Sequence, residues 1–141
     1  MFCEAFETGR CASCTRLHQP IHIQLADKQA RVAQRLAPFG PVRWLEPVPS
    51  RERGFRNKAK MVVAGSMEQP TLGILDAQGR GVDLTDCPLY PEPIRATFPA
   101  LEAFLTTARI APYDVPARRG ELKHLLLTLA GHSGEMMLRF V

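Results

Sequence analysis

Phe55-Arg-Asn-Lys-Ala-Lys-Met-Val-Val-Ala64 is the clearest strand in the sequence. Side chains of a strand alternate between two faces. One face receives Phe55, Asn57, Ala59, Met61 and Val63, and the other receives Arg56, Lys58, Lys60 and then Val62. A strand that is apolar on one side and basic on the other fits an antiparallel sheet with one wet face. Its three cations project over about 14 Å, at ~3.4 Å per residue. That spacing suits successive phosphates of a nucleic acid. The plain alternative is a solvated sheet face, where lysines are common, and the pattern alone does not separate the two. Asn57 points the other way and is expected to tie the strand to a neighbouring loop.

Outward from this strand the chain reads as hairpins and helices. Downstream, residues 72–75 and 81–84 pair as a hairpin around the turn 76–80. Pro91 and Pro93 stand at the start of a helix over 94–108. Its apolar stripe is Ile94, Phe98, Leu101, Phe104 and Leu105. Pro99 is awkward inside it, so the helix is expected to begin again there with Thr97 as its cap. Residues 112–116 form a linker. Residues 121–130 and 135–141 form a second hairpin about the turn 131–134, with Leu122, His124, Leu126 and Thr128 on one face. Both of its faces are expected to be largely buried, with His124 a satisfied sheet histidine and His132 an exposed turn residue. Upstream, residues 23–36 carry apolar residues at helical spacing, and a proline-rich stretch over 38–41 ends that helix. Residues 43–48 read as a strand, with Trp44, the single tryptophan, as a core anchor. The sum is an α+β domain over residues 1–141, an antiparallel sheet of hairpins with two main helices.

The 141 residues suffice for one domain with a real core. Apolar residues make up 45% and charged residues 23%, the balance of a globular chain. No stretch approaches the ~20 apolar residues of a membrane span, and the acidic start of the chain is no signal peptide. A cytoplasmic, monomeric protein is expected. The net charge of +4 permits a nucleic-acid partner without requiring one.

Four cysteines add a staple. Cys3, Cys11 and Cys14 are spaced C-x7-C-x2-C, and Cys87 follows after 72 further residues, just before Pro88. A tight pair, a third ligand nearby and a remote Cys-Pro are the pattern of cysteinyl iron–sulfur ligation. Structural zinc also takes four thiolates, but its sites usually show two close pairs. His18 and His22 have i, i+4 spacing but follow Cys14 too closely for a zinc finger. Disulfides belong to exported proteins, and four unrelated buried thiols are the blandest reading. The spacing favours a metal site, and a cluster over zinc. Any such site would tie the N-terminus to the middle of the fold.

Several stretches together resemble one family. They are the Cys3/Cys11/Cys14 loop, Gly54-Phe-Arg-Asn-Lys-Ala-Lys-Met61, Asp86-Cys-Pro-Leu-Tyr-Pro91, Arg119-Gly-Glu-Leu-Lys123 and Met136-Met-Leu-Arg-Phe-Val141. The chain is similar, over its whole length, to the N-terminal part of bacterial ribosomal RNA uracil-C5 methyltransferases. The short branch acting on uracil-747 of 23S ribosomal RNA fits best. The resemblance implies a 4Fe-4S cluster on Cys3, Cys11, Cys14 and Cys87, and a central α+β unit that helps hold the RNA. In that frame Arg56, Lys58 and Lys60 are the expected phosphate contacts.

The family's S-adenosylmethionine-binding domain is expected to be missing, because no glycine-rich strand–turn–helix loop occurs here. The chain is therefore expected to be a fragment. The parent reaction would add a thiolate to C6 of uracil, methylate C5 and then remove the C5 proton, on a base taken out of its stack. With all four cysteines committed to the metal, the chain alone should not methylate RNA. A freestanding metal-binding RNA-binding module, with iron–sulfur or zinc, is the competing expectation.

Overall fold

The computed structural model describes all 141 residues. The chain forms α1 (Glu4–Glu7), α2 (Ile21–Leu36), a 3₁₀ turn (Ala37–Phe39), β1 (Lys58–Gly65), β2 (Pro70–Leu75), β3 (Gly81–Asp83), α3 (Glu92–Thr107), β4 (His124–Leu129) and β5 (Met136–Phe140). The five strands make one sheet in the order β3-β2-β1-β4-β5, with every neighbour antiparallel. The expected α+β class and both expected hairpins are present.

β1 is the central strand and the longest, with one face apolar. Ala59, Met61 and Val63 are buried, while Lys58 and Lys60 between them are exposed. Its buried face meets Leu125 and Leu127 of β4 and Leu72 of β2, through the pairs Met61↔Leu125, Ala59↔Leu127 and Val63↔Leu72. α3 closes this side with Ile94, Phe98, Leu101 and Leu105. Burying a side chain such as Phe98 contributes about 1.5–3 kcal/mol, so this layer carries most of the fold's stability. Gly73 of β2 is required by close approach, since a Cβ there would run into the Val82 carbonyl oxygen of β3.

Four expectations need correction. Residues 43–48 are not a strand: the backbone pairs with nothing, every side chain is exposed, and Trp44 is 41% exposed rather than a core anchor. Pro41, Pro47 and Pro49 deny that stretch the donors a sheet partner would need. Helix α3 runs unbroken through Pro99, and Thr97 does not cap it. The Thr97 hydroxyl donates back to the Pro93 carbonyl one turn earlier. Proline removes the donor for the Arg95 carbonyl, but Arg95 is exposed and water can serve that oxygen.

The last hairpin is buried on one face only. His124, Leu126 and Thr128 are half-buried, and β5 is a mostly exposed edge. Leu122 also belongs to the core instead of the His124 face. The amides of Lys123 and His124 both donate to the Val141 carbonyl. This is a bulge, and it flips the alternation between Leu122 and His124. The linker 112–116 is held by isolated bridges, Pro112↔Leu122 and Asp114↔Arg119.

Candidate metal centre and nucleic-acid face

The N-terminal loop is built to turn its thiols inward. The Cys3 carbonyl accepts from the amides of Phe6 and Glu7, which starts the single turn of α1. Ala5 on that turn is buried in the main core. The Cys11 amide returns to the Ala5 carbonyl at 2.8 Å, and the Leu17 amide to the Cys14 carbonyl at 3.0 Å. Phe6 packs edge-on against His18, whose Nε2 lies 3.5 Å from a Glu7 carboxylate oxygen.

Cys87 arrives on the loop that follows β3. Its amide donates to the Leu84 carbonyl, and its carbonyl accepts from Tyr90. A second segment clamps this loop from outside. The amides of Gly54 and Arg56 donate to the carbonyls of Pro88 and Leu89, at 3.0 and 2.9 Å. Gly54 adopts φ of +60° there, a left-handed conformation that favours glycine. Two stretches distant in sequence, 54–56 and 86–90, are thus side by side.

All four cysteines line one cavity of about 320 Å³ together with Arg56, Lys60 and Tyr90. None of them is fully exposed, and none is joined in a disulfide. No three cysteine, histidine or carboxylate side chains converge on a single ion-sized point. A lone zinc would need four sulfurs within about 2.3 Å of one centre. Four soft sulfurs lining one cavity are a donor set suited to zinc or to an iron–sulfur cluster.

The electrostatics are consistent in sign. Burial pushes the Cys14 thiol up, and neighbouring Cys11 and Cys3 add to this, while Arg56 opposes it. Burial also raises Cys87, partly countered by the Leu89 amide and Arg56. Crowded thiols resist ionising together, and a bound cation inverts that preference.

The three expected phosphate contacts are all exposed, and Arg56 and Lys60 both also line the cysteine cavity. Lys58 and Lys60 stand exposed on β1, paired in register with Thr128 and Leu126. Arg56 precedes the strand and lines the cysteine cavity beside the Tyr90 hydroxyl. Asn57 ties the strand entrance to β4, its Nδ2 donating to the Leu129 carbonyl at 3.3 Å. His124 lies beside Lys60 and Lys123, and burial first, then those two cations, hold its imidazole below the usual range. Sequence reasoning missed that Arg56 and Tyr90 line one cavity. The signal available was that both sit inside short motif stretches, Gly54–Met61 and Asp86–Pro91, which backbone hydrogen bonds from Gly54 and Arg56 to Pro88 and Leu89 hold together.

The fold recurs in a solved RNA methyltransferase. It superposes on the Pyrococcus abyssi tRNA (uracil-54, C5)-methyltransferase in complex with S-adenosyl-L-homocysteine with a TM-score of 0.71, covering 92% of this chain and 31% of that one at 24% identity. The curated relatives are nearer in sequence. The chain is 51% identical over all 141 residues to the 23S rRNA (uracil(747)-C(5))-methyltransferase RlmC of Edwardsiella ictaluri. It is 50% identical over the same length to the enzymes of that name from Enterobacter sp. and Yersinia pestis. It matches their N-terminal part and spans 37–38% of their length. No family model matches the chain. No helix is long and apolar enough to cross a membrane.

Proposed function

We propose that this chain is the cluster-bearing, RNA-contacting portion of an enzyme that methylates C5 of a uracil in 23S ribosomal RNA, uracil-747, with S-adenosylmethionine as methyl donor. One observation carries this reading: identity of 50–51% to RlmC enzymes over an alignment that covers the whole chain. The shared fold with a tRNA uracil-C5 methyltransferase supports it. In this reading Cys3, Cys11, Cys14 and Cys87 hold a 4Fe-4S cluster, for which the cavity offers four thiols and room. Bound there, the cluster would supply a covalent tie between loop 3–14 and loop 84–90. Lys58 and Lys60 face outward to meet phosphates, and Arg56 stands between the cysteine site and the RNA. S-adenosylmethionine and the nucleophile belong to the catalytic domain of the whole enzyme, which works as a monomer in the cytoplasm.

The test uses the protein expressed from its complete reading frame, incubated with S-adenosylmethionine and unmodified 23S ribosomal RNA. A new methyl group at C5 of uracil-747 is expected by mass spectrometry of nuclease fragments. RNA binding by the complete protein with no methyl transfer to any uracil would instead make it a freestanding RNA-binding module.

A further inference from the structure

Beside the cysteine cavity, and sharing Cys14 and Arg56 with it, lies a second and more open groove of about 370 Å³. That volume falls within the roughly 300–1,000 Å³ of ligand sites. Its walls are α2 and the loop 50–56, and they carry Lys28, Arg51, Phe55 and Arg56. None of these three cations has a carboxylate within ion-pair distance anywhere in the chain. A fourth cation, Arg16, is engaged by Asp27 at 3.1 Å and by Gln19 at 2.8 Å, and so fixes the cysteine loop to α2. Glu52 is the one carboxylate on the lining. Phe55 is 45% exposed, an aromatic face left open among unpaired cations.

Free cations around an open aromatic ring are the chemistry of single-stranded nucleic acid, where phosphates meet the charges and a base stacks on the ring. We propose that this groove binds a single-stranded RNA segment, with Lys28 and Arg51 on phosphates and Phe55 under a base. The inference rests on the RNA-contacting reading above. Cys14 forms part of the groove wall, so a cluster held by Cys14 in that reading would also brace the groove.

Duplex RNA does not fit this description, because its bases are already stacked and its grooves are read by shape. The sheet lysines Lys58 and Lys60 are not part of the lining, so the two basic surfaces can be separated by experiment.

The experiment measures binding of the anaerobically purified chain to a fluorescent single-stranded oligouridine across a salt series. The Lys28→Ala, Arg51→Ala double variant should weaken binding and flatten the salt slope by about 0.7 per lost phosphate contact. Phe55→Ala should weaken binding about tenfold with the slope unchanged. Arg51→Lys should keep the slope, which separates lost charge from lost folding. Unchanged affinity and slope in both the double variant and Phe55→Ala, with loss in Lys58→Ala, Lys60→Ala, would place RNA on the sheet. That outcome overturns the groove and leaves the functional reading standing. Absence of salt-dependent binding by the unaltered chain to single-stranded RNA would also overturn the groove, while the functional reading stands or falls on methyl transfer by the complete protein.

Discussion

Strand alternation groups Arg56 with Lys58 and Lys60; the strand starts two residues later, and Arg56 lines the cysteine cavity together with Lys60. No periodicity in 55–64 announces that its amide is taken by Leu89, because that partner lies in another motif. The cysteines are the opposite case, since their spacing alone nominated a common site and the fold does gather all four around one cavity. Cys87 is the long-range member of that set. Cys87→Ser should release bound iron and open residues 1–20 to proteolysis under anaerobic conditions, and retention of both iron and protection would remove Cys87 from the ligands. His124 carries a pH signature of its own. Its folded-state pKa is lowered, so the unfolded chain takes up a proton first as pH falls. The stability it contributes is complete above the unfolded value of about 6.5 and is lost as pH drops below it toward the folded value. His124→Gln should flatten the decline of urea stability between neutral and mildly acidic pH. An unaltered profile would show that the imidazole protonates as freely in the folded sheet as in the unfolded chain.

At the scale of elements, legibility follows where the deciding force is local. β1, the two hairpins and α3 each bury a face written in their own residues, and each was readable from spacing. Residues 43–48 have β-forming side chains but no partner strand to supply the missing half of a ladder, and nothing within the stretch reveals that. The Leu122 bulge was equally hidden, because it depends on Val141 facing it across the hairpin. Helix α2 was foreseen as amphipathic, yet none of its residues is buried within this chain. The continuity of α3 through Pro99 is a tertiary override: Ile94, Phe98, Leu101 and Leu105 are anchored on both sides of the proline. Pro99→Ala should restore the donor for Arg95 and stabilise the domain, by up to ~3 kcal/mol less about 0.4–1 kcal/mol for a freer unfolded chain. Urea denaturation reads this directly, and a destabilised variant would mean that the proline ring itself is packed.

The whole molecule is a sheet-and-helix layer with an N-terminal loop lashed to its side. Hydrophobic burial accounts for the layer, through Met61, Leu72, Phe98, Leu125 and Leu127. It does not account for the loop, which contributes only Ala5 and Leu17 as buried side chains. Backbone hydrogen bonds shape the loop, Arg16 and Gln24 tie it to α2, Arg53 reaches the Phe2 carbonyl, and four thiols line the cavity between the loop and Cys87. The central claim is therefore that a cluster occupies that space and joins residues 3–14 to Cys87. Iron and acid-labile sulfide, quantified on chain purified without oxygen and paired with its visible spectrum, test this most directly. The account predicts brown protein with about four iron and four sulfide per chain, bleached by air. Colourless protein that carries one stoichiometric zinc, or four freely titratable thiols and no metal, would contradict it.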